Sequence, residues 1–489
     1  MTHEPNAVVI VGAGAAQQRF DDPALAVEAG ALMRLALERA ADDAGSRALL
    51  DAGDVLLMPR GTWPYANPAA IVAPWNPALR SIVADIGVLQ QTLLSRACAM
   101  VADGSADVAL VCGGETKYRA LRAQIAGTLT TDTATHGTPT ERLEPAHEIL
   151  TTEEIARGLP VPARQYAIID TALRRAQGLS PAGHVELLAQ LWAGFSAVSA
   201  RNPDAWSRTE IAPSALSEPS TANPMLAWPY TKLHCSQWNV DQAAGLIICS
   251  AATAERHGIP RDRWVFAHTG VESNLMVPLT RRADLHRSPA VAGVGEAIRQ
   301  HCRIAPADVA HLDIYSCFPA AVRVQMAELG LTGHRPLTVT GGMTFAGGPL
   351  NNYTLQAVAT MVGVLRADPA AQGLVTNVSG MLTKFGASLW SCAPPAQPFA
   401  AIDVTGDAAA ATALAQVDPS FRGRAQTLSY TVACDKGTAA QGIVIGETPS
   451  GARCLVTTTD AELMADMMQN DWCGRSIDVD GAALIGTGA

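Results

Sequence analysis

Tyr315-Ser316-Cys317-Phe318-Pro319 brings a phenol, a hydroxyl and a thiol together at one point of the chain. Cys317 stands at the end of an apolar run that reads as a buried strand, and Pro319 opens a helix directly after it. The first N–H groups of that helix are expected to favour a thiolate. Tyr315, as a buried phenol, can donate a hydrogen bond to a developing oxyanion, or move a proton if its pKa is shifted. The plainer reading is that Cys317 and Tyr315 pack a strand end, and both readings stay open. His268 ends another strand, where it either points toward the same crevice or is a satisfied buried histidine. Cys98 lies inside a helix beside Leu94 and Val101 and reads as core.

Other familiar chemistry is missing. Gly12-Ala13-Gly14 follows a buried strand, but position 17 is Gln, so the third glycine of a dinucleotide fingerprint is absent. There is no phosphate-loop lysine motif, no H-E-x-x-H and no G-x-S-x-G elbow. The ten cysteines lie singly, without C-x-x-C or a finger-type Cys/His spacing, so no metal site is expected. Scattered thiols in a large chain suit a reducing, cytoplasmic compartment. A formal net charge of -10 without a basic stripe argues against nucleic-acid binding. No apolar run is long enough to span a membrane, so a soluble protein is expected.

These residues need elements to hold them, and 489 residues imply two or three domains. Val8–Gly12, Asp54–Met58 and Asp107–Cys112 read as buried strands. Helices are expected from Asp22 to about Ala44 and from Val88 to Asp103, the latter with Leu89, Leu93, Ala97 and Met100 on its inner face. Strands separated by helices imply an α/β fold with a parallel sheet covered on both faces. From about 116 to 230 the texture changes to a Thr-, Pro- and Gly-rich insertion with helices near Arg164–Gln177 and His184–Ala200, read as a lid or binding loop. A similar order of elements then returns: strands at Trp264–His268, Val309–Tyr315 and Gly373–Val378, and helices at Ser288–Cys302 and Pro319–Leu329. The expected organisation is therefore a first half over 1–265, a second half over 266–393, a linker Ala393–Pro398, and a small β-rich barrel or sandwich over 400–489.

Several stretches resemble the thiolase superfamily. Gly104-Ser105-Ala106-Asp107 through Gly113-Gly114-Glu115 is similar to its G-x-A-D-x-x-x-x-G-G-x-E. Asn239 to Ala244 is similar to its DGAAA stretch, and Asp313 to Phe318 to its HDCF or NEAF motif. Gly341-Gly342 with Gly347-Gly348-Pro349 stands where the family has GG and then GHP, and Asn377-Val378-Ser379-Gly380 where many members have C-x-G. The string Pro229 to Leu233 and the β-rich tail resemble thiolase-like proteins with an additional C-terminal domain, related to sterol-carrier-protein thiolases.

The resemblance implies a duplicated, five-layer αβαβα fold, and an acetyl-CoA acetyltransferase-type protein whose ligand is CoA or an acyl-CoA, with no covalently bound cofactor. The departures limit the chemistry. The family's nucleophilic Cys falls at Gly87, its GHP His at Gly348 and its C-x-G Cys at Asn377. Without nucleophile and base, covalent ping-pong acyl transfer is not expected. Cys317 matches an acid/base cysteine, so retro-aldol or decarboxylative carbon–carbon chemistry is one expectation. Ser316, Phe318, Gly348, Asn351, Tyr353 and Asn377 are the candidate substrate contacts. The alternatives are a non-catalytic acyl-CoA or lipid binder and a partner-binding subunit, the partner a small β-barrel type. CoA is expected under the insertion, where Arg119, Arg122, Arg164 and Lys232 meet its phosphates or are ordinary surface charges. Monomer and homodimer both remain open.

Overall fold

The structure is a computed structural model and describes residues 4–147, 149–332 and 335–487. Its first strand, Val8–Gln17 (β1), runs past the point where the glycines suggested a turn. The reason lies in the helix above it, Ala29–Ala44 (α1). A Cβ at Gly12 would sit 2.1 Å from the Ala40 carbonyl oxygen, and one at Gly14 2.3 Å from that of Ala36. The two glycines therefore serve close helix–strand approach. The helix expected from Asp22 is two pieces. Asp22 caps a 3-10 turn, Pro23–Leu25, and α1 begins only at Ala29. Gln18 explains the break: its side chain donates to the Val27 carbonyl (2.8 Å) and accepts from the Val27 N–H (3.0 Å), which draws the chain out of the helix.

The sheet is mixed rather than parallel. In the first half Val55–Pro59 (β2) pairs in parallel with Arg80–Ala84 (β3) and with Val108–Thr116 (β4). Asp241–Ser250 (β6), however, runs antiparallel to both β1 and β4 and lies between them. It enters after the long insertion, so no short helical crossover dictates its direction. A three-residue strand, Glu141–Leu143 (β5), extends the β3 edge. In the second half Val265–Ser273 (β7) pairs antiparallel with Lys384–Ser391 (β10). Strand β10 forms an antiparallel pair with Gln372–Ser379 (β9), which runs parallel to His311–Asp313 (β8). The halves meet where β1 pairs with β7 at Val9 and Ile10.

Between the halves lie two helices, Gln90–Ala102 (α2) and Tyr353–Ala367 (α7), each packed on strands of both. Outside them, α1 covers the first half and Pro289–Cys302 (α5) the second. This is the αβαβα layering. It explains why α2 has no single inner face: Gln90, Gln91, Leu93, Leu94, Ser95, Ala97, Cys98 and Val101 are all buried, and Met100 is only half-buried. Cys98 is a core residue, as expected.

The insertion supplies Pro162–Ala176 (α3) and Pro181–Ser199 (α4). After the linker, Ala400–Asp403 adds in parallel beside β7 and so continues the second-half sheet. The β-rich tail then closes on itself as a barrel. Arg422–Asp435 pairs with Thr438–Glu447, which pairs with Arg453–Thr458. A parallel contact, Thr457 to Ala483, leads to Ala483–Thr487, and Ser476–Asp480 returns to the first strand. With the helix Ala461–Gln469 between its third and fourth strands, it has the look of an OB-type barrel. Its core takes in Trp228 from the insertion, stacked on Tyr430 at 5.5 Å. Among the described residues no helix is long and apolar enough to cross a membrane.

Candidate functional site

Strand β8 is short, and the five residues after it lead into Pro319–Glu328 (α6). Tyr315 is fixed at both ends of its peptide: its N–H donates to Thr376 Oγ1 (2.8 Å), and its carbonyl accepts from Gln325 Nε2 (2.9 Å). Its ring meets that of Tyr353 edge-on at 5.6 Å. The Tyr315 phenol faces the Gln90 side chain, at the start of α2. Gln90 Oε1 also accepts from the Thr354 N–H (2.7 Å), so the starts of both middle helices converge on this tyrosine.

Cys317 is met by Tyr166 of α3, whose hydroxyl favours the Cys317 anion and whose ring stacks on Phe318 at 4.6 Å. Burial pushes the Cys317 thiol up to about 12, against the Tyr166 hydroxyl and the Phe318 N–H, which favour the anion. Burial thus works against the thiolate that the helix start favours. Burial raises the Tyr315 and Tyr166 phenols too, so this is a cluster of neutral donors.

Gly87 has φ +104, a conformation that favours glycine, two residues before Leu89 caps α2. Asn377 is close by. Its Oδ1 accepts from the Gln91 N–H (3.2 Å) and so occupies the positive end of α2. The Gly87 carbonyl accepts from Lys384 Nζ (2.9 Å) at the start of β10. Glu272 is near enough for its charge to act on this ammonium, and its own carboxylate accepts from Thr92 Oγ1 (2.9 Å) and Asn274 Nδ2 (3.2 Å).

Other candidates are hydrogen-bonded into neighbouring structure. The Gly348 N–H donates to the Gln237 carbonyl (2.8 Å), and Asn351 Nδ2 reaches the Arg60 carbonyl (3.2 Å), which ties the second half to the first. Tyr353 donates to Asp313 Oδ1 (2.8 Å), and its hydroxyl also lies 2.7 Å from Thr340 Oγ1. Asp313 accepts from Thr338 Oγ1 (2.9 Å) and from the N–H groups of Val339 and Thr340 (both 3.0 Å), so this carboxylate organises the Gly341-Gly342 loop. Ser316 Oγ accepts from the Met343 N–H (3.1 Å) of the same loop. His268 lies nearer the start of β7 and meets Ser391 Oγ at 2.7 Å, away from Glu272 and Asn377. Arg119 pairs with Asp132 (2.7 Å), Arg122 lies 3.5 Å from Asp21, and Arg164 reaches the Gly158 carbonyl (2.9 Å), whereas Lys232 is exposed.

The insertion contributes residues that the local pattern did not suggest. Tyr166 and Asp170 are four apart on α3 and share a face. Tyr230 donates to Asp170 Oδ2 (2.6 Å) and accepts from the Ala320 N–H (3.0 Å), the start of α6. Arg323 of α6 binds Asp170 directly, with His184 of α4 3.3 Å from the same oxygen. Burial alone would raise the Asp170 carboxyl, but Arg323, His184 and Tyr230 hold it at about 2. A buried ion pair with added hydrogen bonds thus clamps α6, and with it Cys317, to the insertion. No spacing rule links residues 170, 184, 230 and 323. The one local signal was charge inside otherwise apolar helical faces.

Comparison with curated proteins gives no match to the chain. A family model for the thiolase-like protein type 1 additional C-terminal domain matches residues 407–482. Among solved structures, a monomeric SCP2-thiolase-like protein type 1 from Mycobacterium smegmatis is similar over 98% of both chains, with 26% identity and a TM-score of 0.82. The Ltp2-ChsH2(DUF35) aldolase is 19% identical over 79% of this chain and 98% of that one, with a TM-score of 0.61. Human mitochondrial 3-ketoacyl-CoA thiolase in complex with CoA is 14% identical over 80% of this chain and 100% of that one, with a TM-score of 0.56. Layered halves, insertion and matched tail agree: the chain has the fold of the thiolase-like superfamily and carries, over residues 407–482, the additional C-terminal domain of thiolase-like protein type 1.

Proposed function

We propose that the chain binds acyl-CoA thioesters at the strand ends around Tyr315 and Cys317 and acts on them without an acyl-enzyme. The observation that carries this reading is the Tyr166–Cys317–Tyr315 cluster beside the start of α2, where buried groups are held neutral. Neutral phenol and thiol protons can be given to a thioester oxygen or enolate as charge develops there. Gly87, by contrast, has nothing to be acylated. In a retro-aldol step one of the phenol–thiol pair takes the β-hydroxyl proton as it gives its own to the forming enolate, so the carbon–carbon bond breaks to a carbonyl and a protonated thioester and the donor ends neutral again. Cys317 and Tyr315 are the residues assigned to that proton traffic. The aldolase and the CoA complex among the structural neighbours support the class of ligand and step. All ten cysteines are free, in keeping with a reducing, cytoplasmic setting. We carry over the monomeric state of the Mycobacterium protein as part of the reading.

Calorimetry with CoA, acetyl-CoA and a longer β-hydroxyacyl-CoA tests it, followed by cleavage assays of the last compound. Tyr315→Phe and Cys317→Ala should each lower turnover about 100-fold or more while affinity is kept. Failure of all three ligands to bind at millimolar concentration would sink the proposal. The low exposure of Cys317 (8%) and Tyr315 (6%) favours a second reading, a non-catalytic binder on the same scaffold. That protein would bind acyl-CoA and cleave nothing.

A further inference from the structure

Lys384 begins β10 and is only 3% exposed. Its ammonium has three N–H donors, and one of them reaches the Gly87 carbonyl oxygen at 2.9 Å. Among the described residues it forms no ion pair. Glu272 acts on it through its field, but its carboxylate is engaged by Thr92 and Asn274. A buried cation without a directly paired anion is costly to keep.

Its location adds to that cost. The Gly87 carbonyl lies just ahead of the positive end of α2, a helix of 13 residues, whose Gln91 N–H is already satisfied by Asn377. Two positive features thus share one buried spot. Both would be relieved by an anion arriving with the ligand. The spot also coincides with the residue at which thiolases are acylated, so an acyl group bound in the family's manner would reach it.

We infer that Lys384 is a specificity-determining residue that binds a carboxylate on the acyl group, so that the ligands of this site are carboxyacyl-CoA thioesters of the malonyl type. This rests on the acyl-CoA reading above and narrows it. A short dicarboxylic acyl chain places its second carboxylate two bonds beyond the thioester carbonyl. An ammonium beside the Gly87 carbonyl can meet it by a charge-assisted hydrogen bond.

The test is a titration of the full chain with malonyl-CoA and with acetoacetyl-CoA, in which a methyl replaces the charged oxygen. The wild-type protein should bind malonyl-CoA at least tenfold more tightly, and Lys384→Met should erase that preference while Lys384→Arg retains part of it. Equal affinities in the wild-type protein, or a preference for acetoacetyl-CoA, overturn the role of Lys384 and leave acyl-CoA binding intact. Failure of both to bind overturns the acyl-CoA reading and this inference with it. Should Lys384→Met fail to fold, the wild-type comparison decides alone.

Discussion

At the scale of single residues, burial decides the chemistry more than neighbours in sequence do. Cys317 sits at a helix start, which favours a thiolate, yet desolvation keeps it a neutral thiol, raised to about 12. Its alkylation by iodoacetamide near pH 7.5 should be at least tenfold slower than that of a small-molecule thiol, read by peptide mass spectrometry; rapid labelling would contradict the neutral cluster. The same effect acts on histidine. His234 and His268 are both drawn down to about 4 by burial and are neutral in the folded chain near pH 6. The unfolded chain protonates them near 6.5, so it binds more protons between those values and stability must fall as pH drops from about 6.5 to 4. Differential scanning calorimetry should show the melting temperature falling across that window, and a flat profile would refute the assignment. The motif Tyr315 to Phe318 was legible because its residues are contiguous. Lys384 and Tyr166 were not, because each reaches the site from an element far away in sequence.

Among the elements, α6 is the one whose placement matters most, since it follows Cys317 directly. It is held by Asp170, which Arg323, Tyr230 and His184 surround. Asp170→Asn leaves the Arg323 charge buried and uncompensated and should cost about 3–5 kcal/mol in urea denaturation. A change within error would show that the pair is dispensable. Close packing of α1 on β1 makes a second prediction. Gly14→Val places a side chain against the Ala36 carbonyl and should destabilise by about 1–3 kcal/mol or prevent folding, while Gly45→Asn, where nothing lies within 4 Å of the added Cβ, should be tolerated. Most helices and buried strands were legible from periodicity. Strand direction was not: β6 lies antiparallel between β1 and β4 because the insertion, not a crossover helix, delivers it. The short turn at Gln18 was also hidden, since the bonds that hold it form only once the chain has folded back.

At the scale of the molecule, the C-terminal barrel and the insertion are one packed unit. Trp228 of the insertion fills the barrel core, Ser429 Oγ donates to the Ile168 carbonyl of α3 (2.6 Å), and Arg174 of α3 binds Asp471. Since α3 also carries Tyr166, the barrel buttresses the site from behind. Trp228→Ala should cost about 3–5 kcal/mol and speed hydrogen exchange across residues 162–176 more than across α2, and protection unchanged in α3 would disprove that coupling. By itself the sequence determined the α/β class, the duplicated order of elements and the β-rich tail. Each of these is written in contiguous residues or in a short period. Only the tertiary structure decided that the sheet is mixed, that the tail closes as a barrel on the insertion, that burial raises the Cys317 thiol, and that Lys384 reaches the Gly87 carbonyl. These depend on which distant surfaces exclude water from one another, and desolvation has no local signature in a sequence.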